Sequence, residues 1–130
     1  MMITGVSKVV LTVRDCDTAK EFWVERMGFS VVTDAAYGEG ARWLEVMSPD
    51  GAVSLVLDGK GPQHPADRAV PEELPHSNVF FTCADIEQTY AELTERGVSF
   101  PDPPVKQPWG WWSMFEDQDG TRYALNQRGE

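Results

Sequence analysis

The residues with the clearest chemical character are three tryptophans within four positions, Trp109, Trp111 and Trp112, in the segment KQPWGWWSMFEDQDG. Side chains alternate between the two faces of a β-strand, so neighbouring rings in such a run point to opposite sides. A tryptophan ring is a large, flat apolar surface with one polar N–H group, which suits stacking on planar molecules. The cluster indicates a binding surface, and no nucleophile–base pair is evident in the sequence.

Two carboxylates, Glu45 and Glu116, are the candidates for acid–base chemistry. A carboxylate among aromatic side chains can have a raised pKa, as a general base near neutral pH requires. Lys8 and Arg122 are candidate partners that would neutralise these carboxylates if they are buried. The alternative is that the carboxylates meet cationic or hydrogen-bonding groups of a ligand, and the sequence leaves both open.

The composition limits the partners. The 130-residue chain carries 11 Lys and Arg against 21 Asp and Glu, a net charge of −10. Such a charge repels nucleic acid and anionic lipid alike. The two cysteines, Cys16 and Cys83, lack the spacing of a redox motif or a zinc site. With no signal sequence and no apolar stretch long enough for a membrane span, the protein is predicted to be cytoplasmic.

The chain contains an internal repeat. Residues 9–29 resemble residues 79–98 at a shift of 70, and one residue is then lost. The later parts keep a shift of 69, so that WLEVMSPDG lies over WSMFEDQDG and Trp43 corresponds to Trp112. The repeat predicts one domain over 1–130, with module one at about 4–58, a proline-rich linker at about 59–76 and module two at about 77–128.

Each half is predicted to be βαβββ. Alternating apolar residues and turn signals predict strands at 6–14, 29–34, 41–48 and 52–58 in the first half and at 78–84, 98–100, 111–117 and 121–127 in the second. Apolar residues at helical spacing predict a helix after the first strand of each half. These helices begin after the N-caps Asp15 and Asp85 and end at Gly28 and Gly97.

A duplicated βαβββ unit with the phrases VRDCDTAKEFW, MGF and DQDG resembles the vicinal-oxygen-chelate superfamily. This superfamily includes glyoxalase I, extradiol dioxygenases, fosfomycin-modifying enzymes and bleomycin-binding resistance proteins. The resemblance covers Val6 to about Gln127. It implies an α+β fold, in which two repeated βαβββ modules form a cupped mixed sheet with helices on the outer face. It says less about function, since one scaffold hosts many activities.

Metal enzymes of the superfamily place ligands at the start of each module's first strand and in its last strand, four residues after the turn glycine. The corresponding positions here are Lys8, Leu55, Asn78 and Ala124. None is His, Glu or Asp, whereas a divalent metal needs typically three or more suitable donors. No metal and no cofactor are therefore predicted. Recruitment of Glu45, Glu116 and His76 is the route to a metal that the sequence leaves open.

Strand alternation assigns each side chain to a face. Val9, Leu44 and Phe115 are among the apolar residues predicted to pack against the helices. The opposite face, called the open face below, is predicted to hold Lys8, Val10, Thr12, Trp43, Glu45, Met47, Asn78, Phe80, Thr82, Trp112, Met114, Glu116, Arg122, Ala124 and Asn126. Aromatic walls with sparse polar groups are typical of a pocket for a partly flat organic molecule.

Trp109 is predicted at the rim of this face. Trp109 stands between a proline and a glycine, and a similar PWG-type segment contributes to the drug groove in bleomycin-binding members. Trp111 is predicted to pack on the side opposite Trp112. Tyr37, near Gly38 and Gly40, is either a mobile lid or an ordinary loop tyrosine.

The leading hypothesis is non-enzymatic sequestration of a large, partly aromatic antibiotic, similar to bleomycin-type resistance. The predicted ligand-binding residues are Tyr37, Trp43, Glu45, Met47, Asn78, Phe80, Trp109, Trp112, Met114, Glu116 and Arg122, and no catalytic residue is predicted. The net charge fits a basic glycopeptide of the bleomycin type, whereas the tryptophans also suit an enediyne or another neutral polycyclic product. Because such relatives pair, a homodimer is predicted, with a monomer that closes its own two modules as the alternative.

Two other functions stay open. The first is an enzyme of the superfamily, a lyase, isomerase or dioxygenase with displaced metal ligands or with Glu45 or Glu116 as a base. The second is an accessory domain with a vestigial pocket, in which Trp112→Ala would change stability alone.

Overall fold

Both halves of the chain fold in the order strand, helix and three strands. The computed structural model describes residues 2–37, 41–59 and 79–127. The chain divides into two compact units, Met1–Pro71 (unit one) and Glu72–Glu130 (unit two), which are considered separately. Their elements are β1 (Lys8–Thr12), α1 (Cys16–Lys20) with a π-helical continuation (Glu21–Arg26), β2 (Ser30–Tyr37), β3 (Ala41–Met47), β4 (Ser54–Asp58), β5 (Phe80–Cys83), α2 (Ile86–Glu95), β6 (Val105–Gln107), β7 (Gly110–Glu116) and β8 (Arg122–Gln127).

Each unit contains one four-stranded mixed sheet. The strand orders are β1-β4-β3-β2 in unit one and β5-β8-β7-β6 in unit two. The first strand of each unit pairs in parallel with the last, and the other pairings are antiparallel. The identical order confirms the predicted α+β class with two repeated βαβββ modules.

The helices of the two units have equivalent N-caps but differ in length by one residue. Asp15 and Asp85 accept hydrogen bonds from the backbone N–H groups three residues later, as predicted. At the other end the Met27 N–H reaches back five residues to the Phe22 carbonyl, whereas in α2 the Arg96 N–H reaches back only four. The π-helical turn therefore absorbs the residue that the second repeat lacks.

The predicted shift of 69 does not persist to the end of the repeat. Met47 pairs with Ser54 across the hairpin of unit one, and Glu116 pairs with Arg122 across that of unit two. Six residues (48–53) separate the first pair and five (117–121) the second, so that β4 and β8 correspond at a shift of 68. The prediction for Leu55 was therefore wrong in register, because Val56 occupies the position equivalent to Ala124.

The strand predicted at 98–100 was also wrong. Only Ser99 pairs there, in a single bridge to Glu116, and the edge strand is β6, further along the chain. Prolines at 101, 103 and 104 explain the change, because proline has no N–H to donate to a ladder. In unit one, where no proline intervenes, the same edge is the eight-residue β2.

Tyr37 lies in a strand rather than a loop. It is the last residue of β2 and pairs with Ala41, the first residue of β3. The prediction of a loop position for Tyr37 was therefore wrong, because β2 extends three residues beyond the predicted strand. Gly38 and Gly40, on which the lid idea depended, lie outside the described residues.

The helix-side faces form the cores, as predicted from alternation. In unit one, Leu44, Val46 and Leu57 are fully buried, and Trp23 makes edge-on contacts with Phe22 and Phe29 at 5.2 and 5.3 Å between ring centroids. In unit two the buried side of the sheet is aromatic. Phe81, Phe115 and Tyr123 of the sheet contact one another there. Phe100, which precedes β6, contacts both Phe115 and Tyr90 of α2. Among the helices described, none has the length and apolar character needed to cross a membrane.

Candidate functional site

The open face of unit one is organised around Glu45, a buried carboxylate in the middle of β3. Its Oε1 atom accepts a 3.0 Å hydrogen bond from the Trp43 indole N–H. Its Oε2 atom accepts one from Lys8 Nζ at 2.9 Å and one from the Ser54 hydroxyl at 2.6 Å. Lys8 was predicted as a candidate partner, and this contact confirms it. Glu45 therefore fixes the edge of the Trp43 indole, and Trp43 as a residue is still 37% exposed.

These three donors determine the protonation of Glu45. Hydrogen bonds from Ser54, Lys8 and Trp43, in that order of effect, lower the pKa of Glu45 from its ordinary value of 4.5 to about 2. A general base near neutral pH needs a raised value instead. The arrangement therefore opposes the alternative in which Glu45 is the catalytic base.

The lowered pKa makes the stability of unit one depend on acid. Because the folded pKa lies below the unfolded one, the stabilisation by ionised Glu45 is complete above about pH 4.5 and is lost as the pH falls toward about 2. We expect the stability advantage of the wild type over Glu45→Gln to shrink across this window in chemical denaturation. In the Ser54→Ala background the folded pKa of Glu45 should lie closer to 4.5, because the largest cause of the shift is gone, so the advantage should be smaller and its loss should be complete at a higher pH. An advantage that is constant from pH 5 to 2 would contradict this assignment.

The open face of unit two is more apolar. Phe80, Ala124 and Met114 lie side by side across β5, β8 and β7, because Ala124 pairs with both of the others. The phenylalanine is 71% exposed, and the alanine between it and Met114 is buried. The small Ala124 side chain thus stands between two larger ones, beside an uncovered ring. Trp112 lies two residues before Met114 in β7, where it pairs with Asn126 of β8 and with Val105 of β6.

The second carboxylate of the open faces, Glu116, is also ion-paired. Its Oε2 atom accepts a hydrogen bond from Arg122 Nε at 3.1 Å, which confirms the predicted partner. Glutamate and methionine have exchanged places between the repeats, since Glu45 and Met47 correspond to Met114 and Glu116. Trp43 consequently has a carboxylate two residues along its strand, whereas Trp112 has a thioether.

The other predicted site residues are placed as follows. Trp109 lies in the two-residue turn between β6 and β7, where it is 75% exposed. Trp111 faces the helix side and is half-buried, as the alternation predicted. Asn78, His76 and the side chain of Tyr37 lie outside what the structure describes.

The residues at the expected metal positions do not fit a divalent ion. Lys8 is an ammonium already bonded to Glu45, and Val56 and Ala124 have no donor atoms. Across residues 2–37, 41–59 and 79–127, no three His, Cys, Asp or Glu side chains gather where they could hold a metal. Ser54 is the functional side chain that the sequence prediction missed. The unequal hairpin lengths hid it, because the assumed register placed it on the helix side.

Two repeated βαβββ modules with an aromatic open face define a protein of the glyoxalase type. Residues 5–125 match the model of the Glyoxalase/Bleomycin resistance protein/Dioxygenase superfamily, and the chain belongs to this superfamily. This confirms the resemblance inferred from the repeat.

Individual relatives match over nearly their whole length. YetH of Bacillus subtilis (strain 168) is 32% identical over 126 residues, which are 97% of this chain and 100% of YetH. A superfamily member from Sphaerobacter thermophilus DSM 20745 is 30% identical with a TM-score of 0.86, and the match covers 98% of this chain and 100% of the other. TnmS3, an antibiotic binding protein from Streptomyces sp. CB03234, is 36% identical with a TM-score of 0.80, and 99% of each chain is covered.

Proposed function

We propose that this protein binds a large, partly aromatic natural-product antibiotic on its open faces and protects its host by stoichiometric sequestration. The observation that carries the proposal is the exposure of large rings on the sheet side away from the helices. Phe80 and Trp43 retain solvent-exposed ring surface although each stands on a strand whose other face is core. Burying such rings against a flat ligand is favourable, and aromatic contacts add about 0.5–1.5 kcal/mol each beyond the area buried.

The polar groups support binding rather than turnover. Glu45 holds the edge of Trp43 and has a low pKa, so it acts as a fixed acceptor rather than a proton carrier. The described positions that correspond to metal ligands in enzymes of this fold carry an ammonium at Lys8 and aliphatic side chains at Val56 and Ala124. A preorganised ring loses little freedom on binding, and this favours affinity.

The relationship to TnmS3 supports the same function. That protein binds an antibiotic and shares 36% of its residues with this chain over almost the full length. Similarity of fold alone would not justify assigning antibiotic binding to this chain, because the superfamily hosts many activities. The transfer here depends on the exposed tryptophan and phenylalanine of the open faces.

The experiment that tests sequestration measures the fate of the compound. The protein is incubated with a bleomycin-type glycopeptide, an enediyne and a polycyclic aromatic antibiotic, and each complex is isolated, denatured and analysed by mass spectrometry. We expect one class to be retained at a fixed stoichiometry and recovered with unchanged mass. Recovery of a modified product in catalytic excess would instead favour the enzyme, and retention of none would favour the accessory domain.

Assembly and place of action are part of the proposal. We propose a homodimer that acts in the cytoplasm, on the strength of the pairing known for bleomycin-binding members. Light scattering at micromolar concentration should give twice the monomer mass of 14.5 kDa. A monomeric mass that persists in the presence of ligand would contradict the dimer.

A further inference from the structure

At the Lys8–Glu45 pair on the open face of unit one, the hydrogen-bonding capacity left over is that of a donor. Glu45 already accepts bonds from Lys8, Trp43 and Ser54, and its side chain is only 7% exposed. The Lys8 ammonium has three N–H donors. Lys8 donates one hydrogen bond to Glu45, and its side chain is 46% exposed. A ligand that reaches this face therefore meets the cation of the pair and not the carboxylate.

The same asymmetry occurs on the open face of unit two. The Arg122 side chain is 41% exposed and that of Glu116 is 27% exposed. Only Nε of Arg122 is engaged, so that within the described residues both terminal nitrogens of the guanidinium are without a partner. The indole N–H of Trp112 likewise has no partner there. Glu116 Oε1 is the one carboxylate oxygen left over beside them.

We propose that a planar ligand on either open face carries carbonyl, phenolate or carboxylate oxygens, and that Lys8 on the face of unit one and Arg122 on the face of unit two each select such a ligand over cationic molecules, an inference that rests on the proposed function of the open faces. The net charge of −10 would suggest the opposite preference. Short-range contacts outweigh it, because charges beyond roughly a Debye length of about 8 Å are largely screened at physiological salt. The bleomycin-type cation is therefore the disfavoured ligand class.

The test uses three probes with one ring system, namely anthracene-carboxylate, anthracene-methanol and anthracene-methylamine. They differ in the charge of a single substituent and are titrated calorimetrically at neutral pH against the full-length protein. We expect the carboxylate to bind at least about tenfold tighter than the methylamine, the order expected from a charge-assisted hydrogen bond, with the alcohol between them.

Variants assign the preference to the two cations. Lys8→Gln and Arg122→Gln should each reduce, severalfold, the ratio of the Kd for the methylamine to the Kd for the carboxylate. Lys8→Arg and Arg122→Lys keep the positive charge and should retain this ratio. The double variant Lys8→Gln, Glu45→Gln separates loss of the cation from exposure of its carboxylate, and it too should lose the preference. Lys20→Gln is the matched control, because Lys20 forms a comparable ion pair with Asp34 and lies in α1, away from the open face.

The possible outcomes separate a failure of the proposed selectivity from a failure of the proposed binding function. Tighter binding of the methylamine, or equal binding of all three probes, would overturn the selection while leaving an aromatic binding face in place. An effect of Lys20→Gln as large as that of Lys8→Gln would also overturn it, because net charge would then be the cause. Absence of binding by every probe would contradict both the function and the inference.

Discussion

Replacing Trp112 with alanine is expected to weaken antibiotic binding by about 2 kcal/mol or more, roughly thirtyfold in Kd, because tryptophans dominate the energetics of buried contacts. Trp112 faces the open side of β7, two residues before Met114. Its removal takes away a stacking surface and one unpartnered donor together. The measurement is the ratio of dissociation constants from calorimetric titration of the retained antibiotic.

Trp111→Ala is the matched control for this prediction. Trp111 precedes Trp112 in the same strand and points to the helix side, so its loss removes the same side chain from the other face. We expect antibiotic affinity within about twofold of the wild type at a temperature where both variants are folded. Equal losses from the two variants would contradict the assignment of faces, and a loss confined to Trp111 would reverse it.

Phe115→Ala is expected to destabilise the protein by about 3–5 kcal/mol, the range measured for large aromatic residues deleted from cores. The Phe115 ring is completely buried on the helix side of β7. It contacts Tyr123 at 5.5 Å and Phe81 at 5.7 Å between centroids, so alanine would leave a cavity among rings that cannot collapse. Urea denaturation monitored by circular dichroism measures the loss.

Phe80→Ala, in the same sheet, is expected to weaken antibiotic binding with little change in stability. Because the ring of Phe80 is mostly exposed, its loss should change stability by less than about 0.5 kcal/mol. It should nevertheless weaken antibiotic binding. A large loss of stability from Phe80→Ala, with unchanged affinity, would show that this ring packs within the protein instead of serving a ligand.

Much of the fold could be predicted from the sequence because its signals are local. The N-caps at Asp15 and Asp85 satisfy backbone groups within three residues, and both helices end at glycines with positive φ, 83° at Gly28 and 95° at Gly97. Face assignment needs only the two-residue period of a strand. The prediction that Lys8 and Arg122 share a face with Glu45 and Glu116 followed from that period, and the structure shows which cation pairs with which carboxylate.

The features that were missed depend on lengths and partners elsewhere in the chain. A one-residue difference between the hairpins changes the face of every residue after it, which moved Leu55 to the core and Ser54 to the open face. The edge strand of unit two begins later than its repeat because the prolines at 101, 103 and 104 have no N–H to donate to a ladder. Which rings stay exposed to solvent depends on the tertiary structure. Strand alternation predicted the face on which Phe80 lies, but it could not predict how much of the ring other residues cover.

The most direct test of the central claim is a tryptophan-fluorescence titration of the wild type with bleomycin-type glycopeptides, enediynes and polycyclic aromatic antibiotics. The rings proposed to stack on the ligand are themselves the fluorophores, so binding should be visible without a label. We expect saturable quenching by one class at a fixed stoichiometry, largely lost in Trp112→Ala and kept in Trp111→Ala. A flat response to all three classes, at protein concentrations where folding is confirmed, would contradict sequestration by the open faces.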